Sequence, residues 1–232
     1  MKNIVIIGSS SGIGQALTHQ LVENNRVFGS YNQHQPSLEN INYFPFNFNA
    51  LDENFSFDFL PESIDGIVYC PGSILLKNFA RYTDEDFLND YRLQVLGAVR
   101  TIRTLLPRLK KSEQGSVVLF SSVAVTSGFP FHTLVSSSKG AIEGFTRALA
   151  AELAPKIRVN CIAPSLTDTP LASSLLSNDD KRKIQAERNP MKRIGTSNDI
   201  ASMAKFLLSD ESSWISGQVL AVDGGAGVLK TT

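Results

Sequence analysis

Short apolar runs separated by stretches of helical periodicity recur from one end of the chain to the other. Asn3 to Ile7, Arg26 to Ser30, Ile41 to Phe46, Gly66 to Cys70, Ser116 to Ser121, Ile157 to Ile162 and Gln218 to Val222 read as strands. Seven strands with helices between them predict a doubly wound parallel sheet covered by helices on both faces, an α/β fold of the Rossmann type. The longest helical pattern follows Thr83, an N-cap with Asp86 at its third position. It places Phe87, Tyr91, Val95, Val99, Ile102, Leu106 and Leu109 on one face. Another helix is predicted from Thr133 to Ala154, stopping before Pro155. Between them in character lies an aromatic segment with Tyr43, Phe44, Phe46, Phe48, Phe55, Phe57 and Phe59. The alternation of its last three rings allows an extra edge strand, but side chains plugging the core are the favoured reading.

Composition narrows this picture. With 232 residues, 42% of them hydrophobic, the chain is long enough to bury one full core, so residues 1–232 are expected to form one domain. Twenty-two basic residues balance 22 acidic ones, leaving no long-range field for a polyanion. No basic stripe alternates with aromatics; the aromatic segment carries Asp52, Glu53 and Asp58 where a base-stacking platform needs cations. Nucleic acid and membrane are therefore not expected partners. The run Ile4 to Ile7 is too short for a signal sequence or a membrane span, which points to a cytoplasmic protein. Cys70 and Cys161 each end an apolar run and read as reduced, buried thiols, and no cluster of ligand residues suggests a metal.

Candidate chemistry begins at Gly8-Ser9-Ser10-Ser11-Gly12-Ile13-Gly14, directly after the first strand and opening a helix. Gly8 permits a tight turn, Gly12 lets backbone approach a pyrophosphate, and Gly14 lets the helix pack closely on the strand. With Ser10, Ser11 and Ile13 these residues form a dinucleotide-phosphate loop, in which the helix N-terminus offers unpaired N–H groups to an anion.

Ser122 and Lys139 lie in the frame Ser-x12-Tyr-x3-Lys, and four further segments follow the same order: Ile64 to Gly72, Arg158 to Pro164, Pro164 to Thr169 and Gly217 to Gly225. On these residues the chain resembles the short-chain dehydrogenase/reductase family over nearly its whole length. The resemblance implies an NAD(P)(H)-dependent oxidoreductase acting on a small molecule that carries a carbonyl or a hydroxyl, and it allows a homodimer or homotetramer. It assigns Lys139 to the nicotinamide ribose, Ser122 to the substrate oxygen, Cys70, Pro71 and Gly72 to the turn after the fourth strand, and Asn47 and Phe48 to the adenine ring. Pro164 and Leu166 fall to the nicotinamide carboxamide, and Thr169 to the pyrophosphate.

The turn after the fourth strand keeps only Gly72 of the family's Asn-Asn-Ala-Gly, and three further positions depart from the family. Val135 stands where the catalytic tyrosine is owed, and it has nothing to donate or accept. Gln94 replaces the asparagine of the long helix, keeping the amide on a longer arm. A serine, Ser165, replaces the glycine after Pro164. If the chain is already helical at His132, that imidazole lies on one face with Val135 and Lys139 and offers a substitute proton donor; otherwise it is a solvated residue at the site entrance. Ser122 and Lys139 also have plain alternatives, a strand-end serine and an exposed helical lysine.

Tyr31 and Asn32 end the second strand with no acid to repel a 2′-phosphate and no arginine to clamp one, which leans the cofactor towards NADP(H) over NAD(H). Residues 169–195 correspond to a substrate lid. Its Lys181, Arg182, Lys183, Arg188, Lys192 and Arg193 suggest either an anionic substrate or, given interleaved acids, a solvated face. Two functions remain open: an oxidoreductase with an altered proton donor, or a dinucleotide-binding protein without turnover that acts as redox sensor or structural partner.

Overall fold

Unbroken runs of isoleucine and valine leave a strand no polar face for water, and the fold buries such runs from both sides. The computed structural model describes residues 1–32, 36, 41–46 and 57–230. In chain order the elements are β1 (Lys2–Ile7), α1 (Gly12–Leu21), β2 (Asn25–Tyr31), β3 (Asn42–Pro45), β4 (Gly66–Tyr69), α2 (Asp84–Tyr91), α3 (Gly97–Leu109), β5 (Gly115–Phe120), α4 (Ala124–Ser127), α5 (Thr133–Leu153), β6 (Ile157–Pro164), β7 (Thr167–Asp168), α6 (Asp179–Arg188), β8 (Gly195–Thr196), α7 (Ser197–Leu208) and β9 (Val219–Val222).

Seven strands pair in the order β3-β2-β1-β4-β5-β6-β9, every pair parallel. The order runs outward from β1 to β3 and then restarts at β4 on the other side of β1. The carboxyl ends of β1 and β4 therefore flank a crevice at the point where the order reverses, the place where open α/β sheets take ligands. Alternate strand residues feed two cores. Val5, Ile7, Ile67, Tyr69, Val117 and Leu119 face one layer with Ile102 and Leu105 of α3 and Ile142 of α5. Ile4, Ile6, Val68, Val118 and Ile162 face the other with Leu17 of α1 and Ile200 and Leu207 of α7.

The predicted strands all form, with ends shifted by a residue or two. The aromatic segment acts as a plug as far as it is described: Phe44, Phe46 and Phe57 are buried against one another, with Phe44 and Phe57 edge to face at 6.1 Å. Phe59 lies in a turn against Phe44, and Phe48 and Phe55 lie outside the described residues. One small element escaped the sequence: β7 and β8 form a separate two-stranded parallel sheet.

The long helix differs from the single regular one its pattern predicts. It starts as expected, with Thr83 and Asp86 capping each other reciprocally, but Arg92–Leu96 is a π-helical turn between α2 and α3. The expected apolar face is largely kept beyond it: Val95, Ile102 and Leu109 are buried, and Val99 and Leu106 pack against the same core. Asp90, Gln94, Ala98, Thr101 and Leu105 turn inward with Val95, Ile102 and Leu109, whereas Tyr91 is 42% exposed and Phe87, Val99 and Leu106 are half-buried. The sheet holds this turn in place. Tyr69 Oη donates to the Leu93 carbonyl at 2.7 Å, and a Cβ on Gly97 would overlap that hydroxyl.

Candidate active site

The carboxyl ends of five strands, with α1, α2, the π-turn after it and α5, build the site. The loop after β1 is tied down by β2: Gly8 N donates to Ser30 Oγ and Ser9 N to Ser30 O, each at 2.9 Å. Gly8 and Gly12 take φ values of 82° and 54°, which favour glycine. Gly14 lets α1 press onto the loop, for a Cβ there would overlap the Gly8 carbonyl. Ser11 is the N-cap of α1, yet its side chain makes no capping bond and no acid occupies the first turn. The first N–H groups of α1 are thus left to whatever anion the loop receives. Thr169 stands across from the loop, 3.4 Å from the point a Cβ on Gly12 would reach.

At the end of β4, Cys70 N donates to Ile7 O at 3.0 Å, and Pro71 packs over Gly8. Tyr31 closes β2 half-buried, and Asn32 is exposed beside it; Asn47 and Phe48 lie outside the described residues. From β6 the chain leaves through Pro164, whose carbonyl accepts from Val123 N at 3.1 Å, and the Leu166 carbonyl accepts from Gly195 N at 3.2 Å. Ser165, in the family's glycine position, donates its hydroxyl to the Asp223 carbonyl at 3.0 Å. The basic residues of 169–195 are partly neutralised: Arg182 forks onto Asp168 and Arg193 onto Asp199, both with two bonds. Those pairings, and the exposure of most of α6, favour the solvated face over an anion-binding lid.

Lys139 projects from α5 to the end of β5, where Nζ donates to the Phe120 carbonyl at 2.9 Å. It is half-buried and held against backbone, so the exposed-lysine alternative falls. Burial pulls its pKa below the ordinary lysine range, against the stabilising influence of Cys161, Asp90 and Cys70. Both thiols are free and are pushed up to about 12 by burial, so they are protonated at neutral pH. Ser122 Oγ accepts from Ala124 N at 3.2 Å, a turn-forming bond of the kind strand-end serines make. Val135 is buried on α5 one turn before Lys139.

His132 lies just outside α5 as its N-cap residue, and its carbonyl accepts the first helical bond, from Ser136 N at 2.8 Å. Its Nδ1 is 2.8 Å from the Pro130 carbonyl and its ring rests on Phe129. Nδ1 therefore carries the proton and Nε2 is the nitrogen left for other work. Two phenols in the neighbourhood are already committed: Tyr69 to the π-turn, and Tyr82 to a knot in which its hydroxyl accepts from Lys77 N and lies 2.8 Å from Leu75 O and 3.0 Å from Phe131 O.

Gln94 is 1% exposed, and Nε2 donates to both oxygens of Asp90 at 2.8 Å while Oε1 has no partner among the described residues. A Cβ on Gly72 would come 3.5 Å from that Oε1, 3.7 Å from Lys139 Nζ and 4.0 Å from Leu171. An acceptor and a charged donor thus line one cradle at Gly72, which a Cβ would enter at ordinary contact distance. That cradle suits a hydroxyl-bearing ligand, as a nucleotide ribose is, and the uncapped loop suits its phosphates. Asp90 was not foreseen from the sequence; the available signal was its place four residues before Gln94, on the same helical face.

Comparisons with known proteins agree with this fold. Residues 50–227 match a family model described as enoyl-(acyl carrier protein) reductase. A tropinone reductase homologue of Arabidopsis thaliana is 38% identical over 155 residues, 66% of this chain and 59% of the relative, so the match spans less than two thirds of that protein. The ligand-free aldohexose dehydrogenase of Thermoplasma acidophilum superposes with a TM-score of 0.89 at 25% identity, covering 100% of this chain and 96% of that one. ElxO with NADP bound superposes at 0.84 with 26% identity, covering 97% and 99%.

Proposed function

Because the chain belongs to the short-chain dehydrogenase/reductase family, we propose that it is an NAD(P)(H)-dependent oxidoreductase that reduces a carbonyl or oxidises an alcohol without a tyrosine proton donor. The observation that carries this reading is the pairing of an orphaned buried acceptor, Gln94 Oε1, with Lys139 Nζ across the cradle at Gly72. A protein with no use for a ribose hydroxyl would leave that acceptor unsatisfied at a cost of about 1–3 kcal/mol.

In this reading Gly8, Ser10, Ser11, Gly12, Ile13, Gly14 and Thr169 hold the pyrophosphate, and Pro164 and Leu166 hold the carboxamide. Tyr31 and Asn32 border the adenosine ribose; with no carboxylate there, a 2′-phosphate is admitted, and NADP is what ElxO binds. Asn47 and Phe48 remain assigned to the adenine by resemblance alone. Cys70, Pro71, Gly72 and Lys139 line the nicotinamide ribose. The nicotinamide, when bound, supplies or accepts the hydride. Ser122 orients the substrate oxygen by its hydroxyl. His132, at the N-cap of α5, supplies the proton from Nε2 as an imidazolium, its Nδ1–H held by the Pro130 carbonyl. Residues 169–195 cover the site. Ile74, Phe129, Phe131 and Leu171 are exposed on the loops that follow β4, β5 and β6, which favours an apolar substrate.

Val135 favours a second reading, a dinucleotide-binding protein without turnover. Titrating the protein with NADPH and NADH by cofactor fluorescence, then following cofactor absorbance with a panel of apolar ketones and aldehydes, separates the two. We expect tighter binding of NADPH and measurable reduction; binding without reduction supports the second reading, and no binding of either cofactor contradicts both. In His132→Ala, reduction should fall at least about tenfold with cofactor affinity unchanged. An unchanged rate would remove the histidine from the mechanism.

A further inference from the structure

Groups of different chemistry on separate elements act on Lys139, one by a hydrogen bond and the others through space. The Phe120 carbonyl at the end of β5 accepts from Nζ, the Cys161 thiol comes from β6, the Cys70 thiol from the end of β4, and the Asp90 carboxylate from α2. The thiols are neutral at physiological pH. Glu143, further along α5, accepts from Ser121 Oγ and pairs with Arg147, so its charge is engaged elsewhere. Asp90 is the acid of this set whose charge acts on Lys139.

Asp90 is 5% exposed, an unusual burial for an aspartate. Both its oxygens accept from Gln94 Nε2, and one also accepts from Ser73 Oγ. Holding the amide by its nitrogen leaves only the oxygen of Gln94 to point elsewhere, and that oxygen faces the Gly72 cradle with Lys139 Nζ.

We propose that Asp90 is a positioning residue of this site: its carboxylate is a counter-charge to the Lys139 ammonium, and its grip on Gln94 presents Oε1 to the same space that Lys139 Nζ faces. Donor and acceptor then bracket one hydroxyl group. The catalytic consequence rests on the oxidoreductase reading, but the titration that tests the charge does not.

The sign is fixed by electrostatics: a negative neighbour stabilises the protonated amine, so removing it makes Lys139 release its proton at lower pH. The measurement is an NMR titration of the Lys139 13Cε signal in the ligand-free full-length protein, assigned by its disappearance in Lys139→Met. In Asp90→Asn the midpoint should fall by about one pH unit, a tenfold change in proton affinity, whereas Asp90→Glu should restore it to within about half a unit. Gln94→Leu keeps the carboxylate, so the midpoint should hold or rise while NADPH affinity drops about tenfold or more. An unmoved midpoint in Asp90→Asn, or a fall in Gln94→Leu as large as the one expected for Asp90→Asn, overturns the proposal. Should Asp90→Asn fail to fold, Gln94→Leu still decides it. The expected shift in a protein that turns over no carbonyl would count against the oxidoreductase reading and leave Asp90 in its role; turnover with an unmoved midpoint would do the reverse.

Discussion

Val135→Tyr is expected to raise the rate of carbonyl reduction by roughly a hundred- to ten-thousandfold, the usual contribution of a positioned general acid. The new hydroxyl would project from the turn of α5 before Lys139, on the same helical face, with Ser122 already in the spacing that a tyrosine there requires. Val135 is 6% exposed, so a larger ring strains its surroundings. Overpacking of that kind costs about 1–3 kcal/mol, within an ordinary domain stability of about 5–15 kcal/mol. The expected gain lowers the barrier by about 3–5 kcal/mol, so the kinetic effect exceeds the structural one. Comparing kcat/KM and the denaturation midpoint of the two proteins checks both halves. A folded variant with no gain would mean that Ser122 and Lys139 are not in register with the substrate oxygen.

Gly14→Ala has the largest expected effect on the folded state. Its methyl would overlap the Gly8 carbonyl, and both partners are backbone in a loop that Ser30 fastens from β2. No rotamer relieves such a contact; α1 must lift from the loop. We expect a loss of at least about 3 kcal/mol in chemical denaturation, the upper end of overpacking costs, together with loss of dinucleotide binding as the N–H groups of α1 move. Gly140→Ala is the matched control, because a Cβ there would meet only Val125 at an ordinary 3.8 Å; it should keep both properties. Equal behaviour of the two variants would show that the loop does not need close approach at Gly14.

Local pattern was enough to read the sheet, because runs such as Ile4 to Ile7 and Val117 to Leu119 have no other stable place than a strand covered twice. The glycine loop was equally legible: a left-handed turn and a close helix contact can be satisfied by few residues besides glycine. The π-turn at Arg92–Leu96 was not, since a hydroxyl on β4 holds it and no spacing within the helix announces that contact. The inward turn of Asp90 was not legible either, because a pattern of apolar positions does not announce a buried carboxylate. The convergence of Cys70, Asp90 and Cys161 on Lys139 joins four elements, and only the fold brings them together. Conversely, Val135 was visible at once from the frame of Ser122 and Lys139, and the structure adds that His132 caps the helix instead of lying within it.

The central claim is that this chain moves hydride without a phenol at position 135. A single-turnover reaction of the unmodified protein with NADPH deuterated at C4 and an apolar ketone, analysed by mass spectrometry, tests it most directly. The account predicts deuterium at the carbinol carbon of the product. Bound cofactor with no deuterium transferred to any carbonyl in the panel would contradict it.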